Sequence, residues 1–89
     1  MEYNVRYMGL VESYITPCKD EEATNSFIRG LIAHLFEGRD YRDELYFEVE
    51  PRYNFEEREA SRRRGEKPIK CVTVNRKTLK IKTKWRAFL

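Results

Sequence analysis

Only one stretch of this chain carries the three- and four-residue apolar spacing of a long helix. Ala23, Phe27, Ile28, Leu31, Ile32, Leu35 and Phe36 recur at that spacing and fall on a single stripe at 3.6 residues per turn. Asp20 precedes the stripe as an N-cap, with Glu21 and Glu22 where the positive helix end favours carboxylates. Gly38 suits the left-handed residue that ends a helix. The spacing predicts a helix over 21–37. Gly30, at its middle, costs about 1 kcal/mol against Ala and is expected to allow close packing there. A lone stripe has to lie on one face of a sheet, so the rest of the apolar residues must supply strands.

Those residues do alternate with a period of two. Residues 2–16 hold Tyr3, Val5, Tyr7, Val11, Tyr14, Ile15 and Thr16 and read as one strand. Tyr3, Val5 and Tyr7 share a face, Met8 and Leu10 the other, Gly9 marks a bulge or bend, and Pro17 stops the strand. In the second run, 45–53, Leu45, Phe47, Val49 and Pro51 oppose Tyr46, Glu48, Glu50 and Arg52. A third runs from Ile69 to Val74. The last is 78–86, where Leu79, Ile81, Thr83 and Trp85 oppose Lys80, Lys82, Lys84 and Arg86. Its apolar face is expected to sit on the core. Asn75, Arg76 and Lys77 make the turn of an antiparallel hairpin between the last two strands. Segment 54–65 has a capping box in Asn54 and Glu57, acids first, arginines last and a closing Gly65. Only Phe55 and Ala60 are apolar in it, so it is expected to be a surface helix or a mobile arm. The expected fold is α+β, a single domain over 1–89. It is a two-layer sandwich with one main helix on a four-stranded mixed sheet, in the order β-α-β-(short α)-β-β. A helix between the first two strands favours a right-handed crossover if they run parallel.

Net charge is only +3, yet it is unevenly placed: residues 1–59 carry 7 Lys/Arg and 14 Asp/Glu, and residues 60–89 carry 11 Lys/Arg and Glu66 alone. An acidic and a basic surface on one small body favour a polyanionic partner. The alternative is that the two halves face each other across the sheet and neutralise. Two cysteines, Cys18 and Cys71, make no disulfide framework and fit a reduced, cytoplasmic setting. No apolar run approaches the ~20 residues of a membrane span, and the start lacks the regions of a signal peptide, so no membrane partner is expected.

Catalytic constellations are sparse, and no enzyme activity, cofactor or metal is expected. His34 is the one histidine and has no Ser or Cys partner close in sequence. Cys18, His34 and Cys71 match no zinc-ligand spacing. Glu48 and Glu50 share a strand face and could hold Mg²⁺ with Asp40 or Asp43, though a solvated or lysine-paired acidic face is the commoner arrangement. A glycine-rich phosphate loop is missing.

The basic residues are more informative. Arg62, Arg63, Arg64 and Lys67 form one cationic element. Lys70, Arg76, Lys77 and the ladder Lys80, Lys82, Lys84 and Arg86 form another. With Tyr3, Tyr7, Tyr46, Tyr53 and Trp85 as stacking surfaces, this composition suits single strands and RNA loops. Edge-strand lysines that block sheet-to-sheet pairing, and aromatics that fill a core, are the structural alternatives. The helix Ala23–Phe36, the run Val49-Glu50-Pro51-Arg52-Tyr53-Asn54 and the run Arg64-Gly65-Glu66-Lys67-Pro68-Ile69-Lys70 together resemble the archaeal and eukaryotic large-subunit ribosomal protein thirty-one family. That resemblance implies a similar order of elements and ribosomal RNA binding through basic loops and strands. Two functions are therefore expected. The first is a non-enzymatic nucleic-acid-binding module, for RNA, acting through the eleven basic residues just named. The second is a small interaction or inhibitor protein, of the kind viruses and mobile elements encode, that docks on a larger protein or nucleoprotein complex. Glu48 and Glu50 would then be a possible acidic partner face.

Overall fold

Asp20 starts the main helix as its sequence predicts, its Oδ1 accepting the Ala23 N–H at 2.8 Å. In the computed structural model, which describes residues 1–9, 13–36 and 42–89, that helix is α1 (Glu21–Phe36). It follows β1 (Tyr3–Met8) and β2 (Ser13–Cys18), and precedes β3 (Glu44–Pro51), α2 (Phe55–Arg63), β4 (Ile69–Asn75) and β5 (Ile81–Arg86). Leu10, Val11, Glu37, Gly38 and Asp40, each given a role above, lie outside the described residues.

The class is α+β, but the sheet departs from expectation in two ways. It has five strands in the order β2-β1-β3-β4-β5, and every pairing is antiparallel, so it is neither four-stranded nor mixed. The difference arises at the N-terminus. The run read as one strand holds two, Tyr3–Met8 and Ser13–Cys18, paired antiparallel with Tyr3 opposite Cys18 and Tyr7 opposite Tyr14. Pro17 does not stop a strand but lies within β2, which is tolerated because β2 is an edge. The helix therefore crosses from β2 to β3. Both are antiparallel to β1 and lie on either side of it, so they run parallel to each other with β1 between them.

Register fixes two faces. On the α1 side stand Tyr3, Val5 and Tyr7 of β1, Leu45, Phe47 and Val49 of β3, Val72 and Val74 of β4, and Ile81, Thr83 and Trp85 of β5. Ile28 and Leu35 bury against the first three groups, with Ala23, Phe27, Leu31 and Ile32 packed around them. Tyr7 lies in this core, 5.3 Å from Phe47 and 6.0 Å from Tyr14 between ring centres. Gly30 is exposed, and a side chain there would meet nothing within 4 Å. The expectation of close packing at Gly30 is thus corrected.

The helix stops short of the last strand. α1 packs on β1, β2 and β3, and Ile81 and Trp85 of β5 remain 61% and 54% exposed. The apolar face of the closing strand is not seated on the core as its alternation suggests. Dimensions explain this: five strands spaced at about 4.8 Å span about 19 Å, and one helix is about 10 Å across. β5 itself starts at Ile81 and not at Thr78. Asn75 Oδ1 accepts the Lys77 and Thr78 N–H groups, each at 2.9 Å, and Leu79 takes a left-handed φ of 61°, so the turn extends through Lys80.

α2 forms with its full capping box. Asn54 Oδ1 accepts the Glu57 N–H at 2.8 Å, and Glu57 Oε1 accepts the Asn54 N–H at 3.1 Å. It is held to the open sheet face by Arg58, which donates to Glu50 at 2.6 Å and lies 5.0 Å over the Phe88 ring. Phe88, Ile69 and Ser61 are buried there, and Tyr53 meets Phe88 at 5.6 Å.

Candidate functional site

The open face of the sheet is built by register. Arg6 of β1 lies opposite Glu48 of β3, Glu48 opposite Cys71 of β4, and Cys71 opposite Lys84 of β5. In the next rows Ile69 lies opposite Arg86, and Tyr46, Thr73 and Lys82 align. The acidic strand and the basic strand thus share a face with one strand between them. Arg86 reaches across that gap. Its Nη2 and Nε donate to Glu48 Oε2 at 2.7 and 2.8 Å, and this bonding to the carboxylate holds the guanidinium pKa above its ordinary value. The Cys71 thiol donates weakly to the same oxygen at 3.9 Å. Beside them the Tyr46 hydroxyl is pushed well above its ordinary pKa, first by burial and then by Cys71 and Glu48, so it stays a neutral donor at physiological pH.

Both carboxylates of the proposed acidic face are therefore already engaged, Glu48 by Arg86 and Glu50 by Arg58. Lys82 and Lys84 gain no counter-ion from them. Both are exposed and belong to no ion pair among the described residues. Together with Glu44, Tyr46, Cys71, Thr73 and Arg86 they border a shallow concavity of the open face.

The eleven basic residues singled out by sequence do not form one patch. Lys77 and Lys80 stand exposed at the hairpin tip, with Arg76, whose N–H donates to the Asp43 carbonyl at 2.8 Å. Arg62, Arg63, Arg64 and Lys67 precede β4 and lie at the hairpin base, about 20 Å from the tip for a seven-residue strand. Arg62 pairs with Glu59 at 3.0 Å and Arg64 with Glu66 at 2.9 Å. The bonded Arg64 lowers the Glu66 carboxyl pKa. Lys70 is on the opposite sheet face, in register with Val49 and Trp85. Of the stacking candidates, Tyr7 is core and Tyr3 packs against it, Tyr53 is against Phe88, and Tyr46 is half-buried on the open face. Trp85 alone among them is freely exposed.

The other constellations are not assembled. Cys18 faces α1 and Cys71 the open face, with His34 exposed on the helix, so the three do not converge. Burial and the nearby Asp20 raise the Cys18 thiol. Among the described residues no helix is long and apolar enough to cross a membrane. Sequence reasoning missed Arg58, which takes Glu50 and stacks on Phe88. It also missed a groove beside β5, lined by Asn25, Ile28, Arg29 and Ile32 of α1 and by Lys70, Val72, Ile81 and Thr83 of the sheet, with a volume of about 270 Å³. The signal available for it was one helical stripe set against too many strands.

Comparison with protein-family models, with curated proteins and with solved structures gives no match.

Proposed function

We propose that this protein is a small, non-enzymatic nucleic-acid-binding module for single-stranded RNA, with the β4–β5 hairpin as its contact. One observation carries the reading. Glu48 and Glu50 are held by Arg86 and Arg58, and Lys82 and Lys84, exposed on β5 with Glu44 across the same concavity, form no ion pair among the described residues. Two residues along a strand advance about 6.7 Å, close to the step between phosphates of an extended single strand. Lys77 and Lys80 continue the cationic track to the tip, and Trp85 offers a base a stacking surface at the same edge. The resemblance to a ribosomal protein family points in the same direction.

The test is a titration of labelled oligouridylate at several salt concentrations. Contacts from Lys77, Lys80, Lys82 and Lys84 to four phosphates correspond to a slope of about −3 in log K against log salt. Replacing Lys82 and Lys84 with Ala is expected to reduce that slope by about 1.4. Replacing Arg62, Arg63 and Arg64 is expected to matter less, since two of them are paired and all stand at the hairpin base. No measurable affinity at low salt eliminates the reading. The second reading, an interaction protein that docks on a larger assembly, is favoured by a different observation, the free backbone edge of β5.

A further inference from the structure

We propose that the outer edge of β5 accepts an extended peptide segment in which acidic and apolar side chains alternate, added as a sixth strand beside α1. The sheet has two edges, and they differ. β2 carries Pro17, which withholds a ladder donor. β5 has no proline, and its register with β4 runs unbroken through six pairs, from Ile69 opposite Arg86 to Val74 opposite Ile81. Its outer row of backbone groups faces no other strand among the described residues, so it can template one more.

The two sides of that edge specify what the added strand must carry. Successive side chains of a strand point to opposite faces. On the α1 side they would enter the groove between α1 and β5, whose apolar lining is Ile28, Ile32, Val72 and Ile81 and whose polar lining includes Arg29 and Lys70, next to exposed Trp85. On the open side they would stand beside Lys82 and Lys84, which have no ion-pair partner among the described residues. Apolar residues suit the first set of positions and carboxylates the second. A second copy of this chain does not fit. Antiparallel pairing of two β5 strands in one sheet sets Lys82, Lys84 and Arg86 of one against the same residues of the other, and like charges directly opposite are destabilising. The lysines that blunt self-association thus select an acidic strand.

The site shares Lys82 and Lys84 with the RNA contact but not the groove wall, so the two can be tested apart. The probe is a capped peptide of about eight residues alternating Glu and Val, long enough to pair with a six-residue strand. The full chain is titrated with it while following the emission of Trp85, the sole tryptophan, and amide exchange along β5. The expected result is a saturable change in emission and slowed exchange of β5 amides. Affinity should fall about ten-fold or more when a central residue of the peptide becomes proline, or when every Glu becomes Lys. Ile81→Ser, uncharged and at an exposed position, is expected to weaken the peptide about ten-fold while leaving oligouridylate affinity within about two-fold. An unresponsive Trp85 with unchanged β5 exchange at millimolar peptide overturns the proposal, as does equal binding of the Lys peptide. Oligouridylate binding without peptide binding also overturns it and leaves the RNA reading in place. Peptide binding without oligouridylate binding has the reverse consequence.

Discussion

Removing Arg86 should destabilise the protein chiefly by what it does to Glu48. Glu48 sits on the central strand and is 8% exposed. Both bonds from Arg86, at 2.7 and 2.8 Å, end on its Oε2. Stripping one partner from a buried pair costs about 3–5 kcal/mol, because a charge is left without compensation. The Arg86 side chain is 34% exposed, so water can reach the vacated position and the penalty should fall to about 2 kcal/mol. For a domain of this size that corresponds to a drop of roughly 8–16 °C in Tm. Glu48→Gln removes the charge and keeps the shape, so it should cost under about 1 kcal/mol. The double variant should resemble Glu48→Gln alone, giving a coupling of about 1–2 kcal/mol. Urea denaturation of the four proteins measures all of these quantities. If Arg86→Ala lies within about 0.5 kcal/mol of the parent, the reasoning fails.

Three further outcomes are expected. Leu35→Ala, in the core under α1, should cost about 2–4 kcal/mol by urea denaturation, and an unchanged midpoint would contradict the packing of α1 on the sheet. Tyr46→Phe should leave neutral-pH stability nearly unchanged but extend stability into alkali. The raised folded pKa of Tyr46 means its contribution is complete below its ordinary value of 10.0 and is lost as pH climbs above it, so denaturation at pH values either side of that point compares the two proteins, and identical alkaline losses would refute it. Asn54→Ala should cost about 1 kcal/mol through loss of the α2 capping box, seen as a lower urea midpoint; no change would mean that α2 is held by Arg58 and Phe88 alone.

Local signals in the chain were readable where local chemistry decides the structure. The α1 stripe, its Asp20 cap and the reciprocal Asn54–Glu57 cap depend on residues three or four apart, and all three are present. Segment 54–65 was harder, because its sequence shows almost no apolar face. It is held instead by a cation over an aromatic ring and an ion pair, formed with Phe88 and Glu50, which are distant in sequence. The N-terminal hairpin was missed because its only turn marker is Gly9, while Tyr, Val and Thr continue on both sides with strand character. Pro17 then misled, since a proline can end a strand or lie on an edge, and only the sheet order tells which. Leu79 at positive φ replaces the glycine that would have announced a turn extending to Lys80.

The candidate site was half legible for a reason of the same kind. Alternation in the last strand shows that it has an apolar and a cationic face, and both exist. It does not show whether the apolar face is covered, because that depends on the number of strands competing for one helix. With four strands, α1 could shade most of the sheet. The extra strand made by the N-terminal hairpin takes a position under the helix, beside β1, and β5 is left beyond the helix edge. The unread hairpin at one end of the chain thus determines the exposure of Ile81 and Trp85 at the other. The β3–β4–β5 register and α2 in turn place Glu48 and Glu50 where Arg86 and Arg58 take them, one strand away from the lysines. Among the described residues, an exposed apolar row, two lysines outside any ion pair and an unpaired backbone edge then coincide on one six-residue strand. Each alone has a structural explanation, but lysines placed only to blunt an edge would not need a groove open behind them.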